Sequence, residues 1–116
     1  MCGICGFTGS NLELVKKMTD VITHRGPDQD GVWTDGAVTL GHRRLSIIDL
    51  TEAGRQPMQN EDGTITVVFN GEIYNFEEIR EELIQKGHVF KGRCDTEVIV
   101  HGYEEWGTDV VNRFIG

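Results

Sequence analysis

Glycine divides this chain into short segments. There are 15 glycines among 116 residues, about twice the roughly 7% that is usual in proteins. Many of them adjoin polar residues, in clusters that are typical of tight turns. The glycines therefore predict many tight turns between short strands, and the length allows at most one domain with a modest core.

The hydrophobic pattern between these turns changes repeatedly between strand-like and helical, which predicts an α+β fold. Residues 3–9 read as a strand, and Ser10 and Glu13 have the spacing of a capping box that starts a helix ending near Thr23. Further along, we expect hairpins at Asp35-Gly36 and Asp62-Gly63, an extended apolar segment over 44–50, a buried strand over 65–69, and a short strand at Val89 and Phe90. We also expect a helix capped by Asn75, a helix from Asp95 to Gly107, and a last helix starting at Thr108.

The charge balance excludes some partners. The formal net charge is -8, with 19 acidic and 11 basic residues that form no basic run, so nucleic acid is not an expected partner. No apolar stretch approaches the ~18 residues of a membrane span, and the N-terminus lacks the pattern of a secretion signal. We therefore expect a cytoplasmic protein that does not enter a membrane.

The cysteines do not suggest a disulfide framework. Cys2, Cys5 and Cys94 are an odd number without an export signal. Cys2-x-x-Cys5 could form half of a zinc site or a redox pair, but no second motif supports either interpretation. His42, His88 and His101 likewise show no metal-ligand spacing, so we expect neither a metal nor a cofactor in this segment.

Cys2 has a special position in the chain. Removal of Met1 would leave a cysteine that carries a free α-amine. An ordinary α-amine has a pKa of about 7.7 to 8.0 and an ordinary thiol one of about 8.5, so the amine can accept the thiol proton near neutral pH. Such a residue can serve as a nucleophile with its own base. The alternative is a small buried cysteine without a chemical role.

Further motifs occur along the whole chain: Met1-Cys2-Gly3-Ile4, His24-Arg25-Gly26-Pro27-Asp28, the run from Gly41 to Ile47, Gln56-Pro57-Met58, the run from Phe69 to Asn75, and Asp95-Thr96-Glu97-Val98. In their order and spacing they resemble the N-terminal glutaminase domain of class II glutamine amidotransferases, in particular that of glutamine-hydrolysing asparagine synthetases. The sibling domains of the aminosugar and purine pathways share the initial Cys-Gly-Ile but lack the Pro-Asp found here at 27–28. They remain an alternative.

The resemblance implies a fold and an activity. The fold would be the αββα sandwich of N-terminal-nucleophile hydrolases, with residues 1–116 forming a glutaminase domain that is incomplete at its C-terminus. The activity would be hydrolysis of L-glutamine to glutamate and ammonia, which supplies ATP-dependent asparagine synthesis from aspartate. In that family a separate synthetase domain, absent from this sequence, holds ATP and magnesium.

The resemblance also implies roles for individual residues. Cys2 would be the nucleophile, while the Asn70 side chain and the Gly71 N–H would stabilise the oxyanion. Arg44 would bind the α-carboxylate of glutamine and Asp95 its α-ammonium. Leu45, Ile47 and Glu72 would complete the pocket.

Three of these assignments have a simpler alternative. Asn70-Gly71 could be an ordinary turn, Arg44 a solvated strand residue, and Asp95 a helix N-cap. For the whole chain, the alternatives are a catalytically silent truncated fragment and a small acidic α+β binding module without chemistry.

Overall fold

The computed structural model describes residues 1–47 and 50–116, which form a mixture of helices and strands consistent with the expected α+β class. None of the helices in this part of the chain is long and apolar enough to cross a membrane. The strands are β1 (Gly3–Thr8), β2 (Gln29–Thr34), β3 (Val38–Arg44), β4 (Met58–Gln59) and β5 (Thr66–Val67); the helices are α1 (Leu12–Val21), α2 (Phe76–Gln85) and α3 (Thr96–Trp106), with shorter 3-10 segments at Thr23–Arg25, Glu52–Gly54 and Gly107–Arg113.

An antiparallel sheet with the strand order β1-β3-β2 forms one half of the structure. The hairpin expected at Asp35-Gly36 is confirmed, because it joins β2 to β3 and the Asp35 carboxylate accepts hydrogen bonds from two backbone N–H groups of the turn. Helix α1 covers one face of this sheet and buries Val15 and Thr19 completely. At the end of the sheet away from the β2–β3 turn, Gly3 of β1 pairs with Arg43 of β3. This pairing places the N-terminus beside the end of β3.

Helices α2 and α3 form the second half. Ile73, Ile79, Leu83 and Val98 make one buried cluster between them. A second cluster joins α3 to the small β4–β5 hairpin, which confirms the turn expected at Asp62-Gly63. Gly107 ends α3 with a φ of 59°, a conformation that glycine adopts without a steric penalty.

One prediction about helix caps was wrong and another needs refinement. The N-cap of α1 is Asn11, whose Oδ1 accepts a hydrogen bond from Leu14 N at 2.9 Å, so Ser10 does not form a capping box. Asn75 occupies the N-cap position of α2, as predicted, but its side chain makes no capping bond. Its amide binds the C-terminal segment instead, donating to Arg113 O and accepting from Ile115 N, both at 2.8 Å. Tyr74 N also donates to Ile115 O, at 2.6 Å.

Three predictions about strands need correction. Val89 and Phe90 form no strand; Phe90 packs its ring on His101 instead. The strand expected over 65–69 contains only Thr66–Val67, and all five residues are half-buried rather than buried. Strand β3 ends at Arg44, so the residues after it do not continue as a strand as far as the structure describes them. Ile48 and Asp49 of the segment 44–50 lie outside the described residues.

Candidate active site

A cleft lies where the N-terminus, the end of β3, the segment after β5 and the start of α3 meet. The eight residues assigned to catalysis or glutamine binding from the sequence all line it. They are Cys2, Arg44, Leu45, Ile47, Asn70, Gly71, Glu72 and Asp95; the remaining lining residues are Met1, Gly54, Gln56, Phe69, Cys94 and Thr96.

The Cys2 thiol is half-buried at this cleft. Because β1 pairs with β3, Cys2 lies next to Leu45, and Leu45 N–H donates to Cys2 Sγ at 3.3 Å. The segment 24–28, one of the motifs noted in the sequence, contacts this region, since Arg25 Nε donates to Cys2 O at 3.3 Å. Asp28 of the same loop accepts a hydrogen bond from Ser46 N at 2.8 Å.

Cys5 is not part of this site. Its sulfur lies beside Gly41, on the face of the sheet that α1 covers with Val15 and Thr19. Burial raises the pKa of the Cys5 thiol. Cys2 and Cys5 are both free thiols, and neither belongs to a group of potential metal ligands among the described residues. The structure therefore offers no support for a zinc or redox role of Cys2-x-x-Cys5.

Asn70 and Gly71 do not form the ordinary turn that was the alternative. Gly71 lacks the positive φ of a turn glycine, and a Cβ at this position would lie 2.9 Å from the Phe69 ring. Asn70 Oδ1 is buried and has no hydrogen-bond partner among the described residues. A buried polar atom without a partner is costly, so the Asn70 side chain is an incompletely bonded group at the cleft.

A buried histidine supports the residue before Asn70. His42 Nε2 lies 3.2 Å from Phe69 O, and His42 is only 1% exposed. Burial lowers the pKa of His42; the bond to Phe69 O opposes this effect and the charge of Arg44 adds to it. The imidazole is therefore neutral near pH 7, and the Nε2–H tautomer donates to the carbonyl.

Arg44 is buried, which rules out the solvated strand residue considered as its alternative. Its Nη1 donates to Gln29 Oε1 at 2.7 Å and to Thr51 O at 2.6 Å. Gly54 makes room for the other side of the guanidinium, since a Cβ on Gly54 would overlap Arg44 Nη2. These contacts fix the guanidinium plane at the edge of the cleft.

Asp95 occupies the N-cap position of α3, but its side chain makes no capping hydrogen bond there. Its Oδ2 accepts from Ile73 N at 2.9 Å, and the residue is 7% exposed. Burial raises the pKa of the Asp95 carboxyl; the nearby charge of Glu72 raises it further, whereas the bond from Ile73 N lowers it. A cation beside Asp95 would relieve the cost of holding a buried charge.

Several lining residues had no assigned role in the sequence analysis. Gln56 belongs to the Gln-Pro-Met motif noted there, and Thr96 directly follows Asp95. Cys94, which had only been counted among the cysteines, is buried and lines the cleft. Gln56 and Thr96 both belong to motifs noted in the sequence, so they could have been proposed as site residues, but only the structure shows what their side chains contact.

Outside the cleft, the structure brings together side chains that the sequence spacing did not connect. One ligand atom each from His88, His101 and Glu104 lies within 4.8 Å of the others. Ligand atoms around tetrahedral zinc lie about 3.3 Å apart when the bonds are about 2.0 Å long, so the 4.8 Å range of these three atoms is wider than a zinc site requires. Both imidazoles already have carboxylate neighbours, with His88 Nε2 at 3.1 Å from Glu105 and His101 Nε2 at 3.4 Å from Glu97. The arrangement is explained by these contacts without a metal.

Comparison with known proteins gives consistent matches. The family model described as glutamine amidotransferase domain matches residues 1–116. The whole chain is 43% identical to asparagine synthetase [glutamine-hydrolyzing] 3 of Bacillus subtilis and 44% identical to asparagine synthetase [glutamine-hydrolyzing] 1 of Arabidopsis thaliana, over 20% of the length of each. It is 42% identical to a probable asparagine synthetase [glutamine-hydrolyzing] of Dictyostelium discoideum, over 22% of that protein. The chain thus spans about a fifth of the length of these relatives.

Proposed function

Because this chain belongs to the glutamine amidotransferase domain family, we propose that it hydrolyses L-glutamine to glutamate and ammonia with Cys2 as the nucleophile. The observation that carries the proposal is the composition of the cleft. It combines a thiol, an incompletely bonded amide, a buried guanidinium and a buried carboxylate. Glutamine can match all four: its side-chain amide carbon is the electrophile for the thiol, its side-chain amide can pair with that of Asn70, its α-carboxylate with the guanidinium, and its α-ammonium with the carboxylate.

The chemistry begins with removal of Met1, which frees the α-amine of Cys2. This amine accepts the thiol proton, and the thiolate attacks the side-chain amide carbon of glutamine. A C–S bond forms, and the electron pair of the C=O bond moves onto oxygen. Leu45 N–H, which already donates to Cys2 Sγ, stabilises the negative sulfur before attack.

The tetrahedral intermediate then collapses. Asn70 and the Gly71 N–H stabilise its oxyanion, a type of interaction for which loss of one donor costs about 3 to 4 kcal/mol of barrier. The C–N bond breaks as the α-ammonium of Cys2 protonates the leaving ammonia. Water, deprotonated by the same amine, cleaves the γ-glutamyl thioester and releases glutamate and the thiol.

The ends of the substrate are held by opposite charges. Arg44 binds the α-carboxylate with its fixed guanidinium, and Asp95 accepts the α-ammonium. Leu45, Ile47 and Glu72 enclose the rest of the chain of glutamine. An ammonium beside Asp95 offsets the burial that raises the pKa of this carboxyl.

The wider context of the activity follows from the relatives. We place residues 1–116 as a glutaminase domain with the αββα sandwich of N-terminal-nucleophile hydrolases, in a cytoplasmic protein. Its ammonia would serve ATP-dependent asparagine synthesis in a synthetase domain that binds ATP and magnesium. The named activity of the Bacillus subtilis and Arabidopsis thaliana relatives supports this assignment.

The test is the intact mass of the purified protein before and after exposure to a glutamine-like diazoketone. We expect a protein without Met1 that gains a single adduct, and no adduct on the Cys2→Ala variant. Cys5→Ala serves as a matched control, because its thiol lies on the other side of the sheet, and should still be labelled. Labelling of Cys2→Ala to the same extent as the unchanged protein would contradict the nucleophile assignment.

A further inference from the structure

We propose that Gln56 is a positioning residue that joins the oxyanion side of the cleft to its ammonium side through one side-chain amide. This inference rests on the proposed function, because it concerns how the same cleft is kept in its reactive arrangement. Gln56 is 6% exposed and lines the cleft.

Both ends of the Gln56 amide are bonded. Its Oε1 accepts from Phe69 N–H at 2.6 Å, and its Nε2 donates to Thr96 Oγ1 at 3.2 Å. Since a backbone N–H can only donate, the amide orientation with Oε1 towards Phe69 is the one that satisfies this contact. The side chain therefore has one defined orientation.

The two bonded residues are direct neighbours of the functional groups. Phe69 immediately precedes Asn70 and Gly71, which stabilise the oxyanion in the proposed reaction. Thr96 immediately follows Asp95, which binds the α-ammonium. One buried amide thus sets the distance between the two ends of the bound glutamine.

The oxyanion side depends on side chains for its position. β5 ends at Val67, so residues 69–72 belong to no strand and gain no support from a strand ladder. The Phe69 peptide groups are held instead by Gln56 at the N–H and by His42 at the carbonyl. Loss of either bond would let Asn70 and Gly71 move.

The backbone of Gln56 packs closely against the first sheet. Its carbonyl approaches Gly31 of β2 so closely that a Cβ on Gly31 would overlap Gln56 O. The side-chain amide extends from this contact and reaches both the segment after β5 and the start of α3. Gln56 of the Gln-Pro-Met motif therefore acts on the proposed reaction through Phe69 and Thr96, and not by contact with a reacting atom.

The test compares glutamine hydrolysis in Gln56→Leu and Thr96→Val. We expect kcat to fall by about 10- to 100-fold in Gln56→Leu, because a displacement of about 1 Å at an active site can cost about a hundredfold in rate. Thr96→Val removes only the second bond and should cost less, while Thr96→Ser, which keeps the hydroxyl, should recover at least about half of the loss on a logarithmic scale. KM should change less than kcat in each variant.

The matched control is Gln59→Leu. Gln59 makes the same type of bond, from its Nε2 to Thr66 Oγ1 at 3.1 Å, but on the exposed β4–β5 hairpin. Its loss should leave kcat within about twofold of the unchanged protein, because the pair lies outside the cleft.

Amide hydrogen exchange separates this inference from the proposed function. Gln56→Leu and Thr96→Val should accelerate exchange at the Phe69 N–H, which is bonded to Gln56 Oε1, whether or not the protein hydrolyses glutamine, and Gln59→Leu should not. Absence of hydrolysis in the unchanged protein would refute the proposed function alone. Unchanged exchange at the Phe69 N–H in both variants, or equal effects of Gln56→Leu and Gln59→Leu on kcat, would overturn the positioning role.

Discussion

Asp95→Asn tests the ammonium site with little disturbance of the fold. Asparagine has the same shape and retains an oxygen that can accept from Ile73 N, the bond that Asp95 Oδ2 makes at 2.9 Å. Only the negative charge is lost. The proposal therefore predicts weaker glutamine binding rather than slower chemistry.

The size of the effect follows from burial. Asp95 is 7% exposed, so solvent screens its interaction with a bound ammonium only weakly. A hydrogen bond to a charged group contributes about 1.5 to 3 kcal/mol, and each 1.36 kcal/mol corresponds to a factor of ten, so KM should rise about 10- to 150-fold with kcat largely retained.

The assay is glutamate release as a function of glutamine concentration, with direct titration calorimetry of glutamine on a Cys2→Ala background that cannot turn over.

The acid limb of kcat/KM should also change. Asp95 must be ionised to bind ammonium, and burial raises its pKa above the usual 3.8. Activity of the unchanged protein should therefore decline as pH falls through this raised pKa, and Asp95→Asn should lack that decline.

Stability gives an independent control for Asp95→Asn. A carboxyl with a raised pKa in the folded protein contributes most to stability below its unfolded pKa, and this contribution is lost as pH rises through the folded value. Asparagine carries no charge to bury, so the variant should be at least as stable as the unchanged protein at pH 7 without glutamine. A KM within about threefold of the unchanged value, with the fold intact, would refute the ammonium site, since it corresponds to less than about 0.7 kcal/mol.

The remaining predictions concern stability and are measured by denaturant unfolding of the purified protein. Gly26→Ala should lower the free energy of unfolding by about 2 kcal/mol or more, because the alanine Cβ would overlap the backbone of Arg43 and overpacking costs about 1 to 3 kcal/mol even where side chains can yield; a loss below about 0.5 kcal/mol, the usual size for a surface substitution, would contradict the steric argument. The lowered pKa of His42 predicts that stability falls as pH drops below about 6.5, since the unfolded chain then binds a proton that the folded protein rejects. His42→Gln should reduce that pH dependence, and an unchanged slope would show that other groups cause it.

The sequence predicts local structure well where one short pattern decides it. Asp35-Gly36 forms the expected hairpin because the Asp35 carboxylate bonds within its own turn. The helix ending at Gly107 was also predicted correctly, since glycine there takes a positive φ. Such features need only neighbouring residues, all of which are visible in the sequence.

Patterns that compete with distant partners were harder to predict. Asn75 has the residue type of an N-cap, yet its amide binds Arg113 and Ile115 from the far end of the chain. Asp95 likewise occupies an N-cap position without a side-chain capping bond, and its Oδ2 accepts from the distant Ile73 N. Val89 and Phe90 have strand propensity, but Phe90 packs on His101 instead of pairing with a strand. In each case a tertiary contact outweighs the local preference.

The resemblance to a known family identified the candidate site residues, whereas the structure identified the residues that hold them in place. Cys2 and Asn70 belong to motifs that could be matched residue by residue. Gln56 and His42 were present in matched motifs too, but nothing in the sequence indicates that both hold Phe69. The support of Phe69 depends on three segments that are separated in the sequence, so the spacing of residues within any one segment cannot predict it.

The adjacent amides of Ile73 and Tyr74 link the cleft to the C-terminal segment. Ile73 N–H donates to the Asp95 carboxylate, and the next N–H, from Tyr74, donates to Ile115 O. Two successive peptide groups thus connect the proposed ammonium site with the last residues of the chain. A shift of the C-terminal segment would therefore be transmitted to Asp95, the residue proposed to receive the α-ammonium of glutamine.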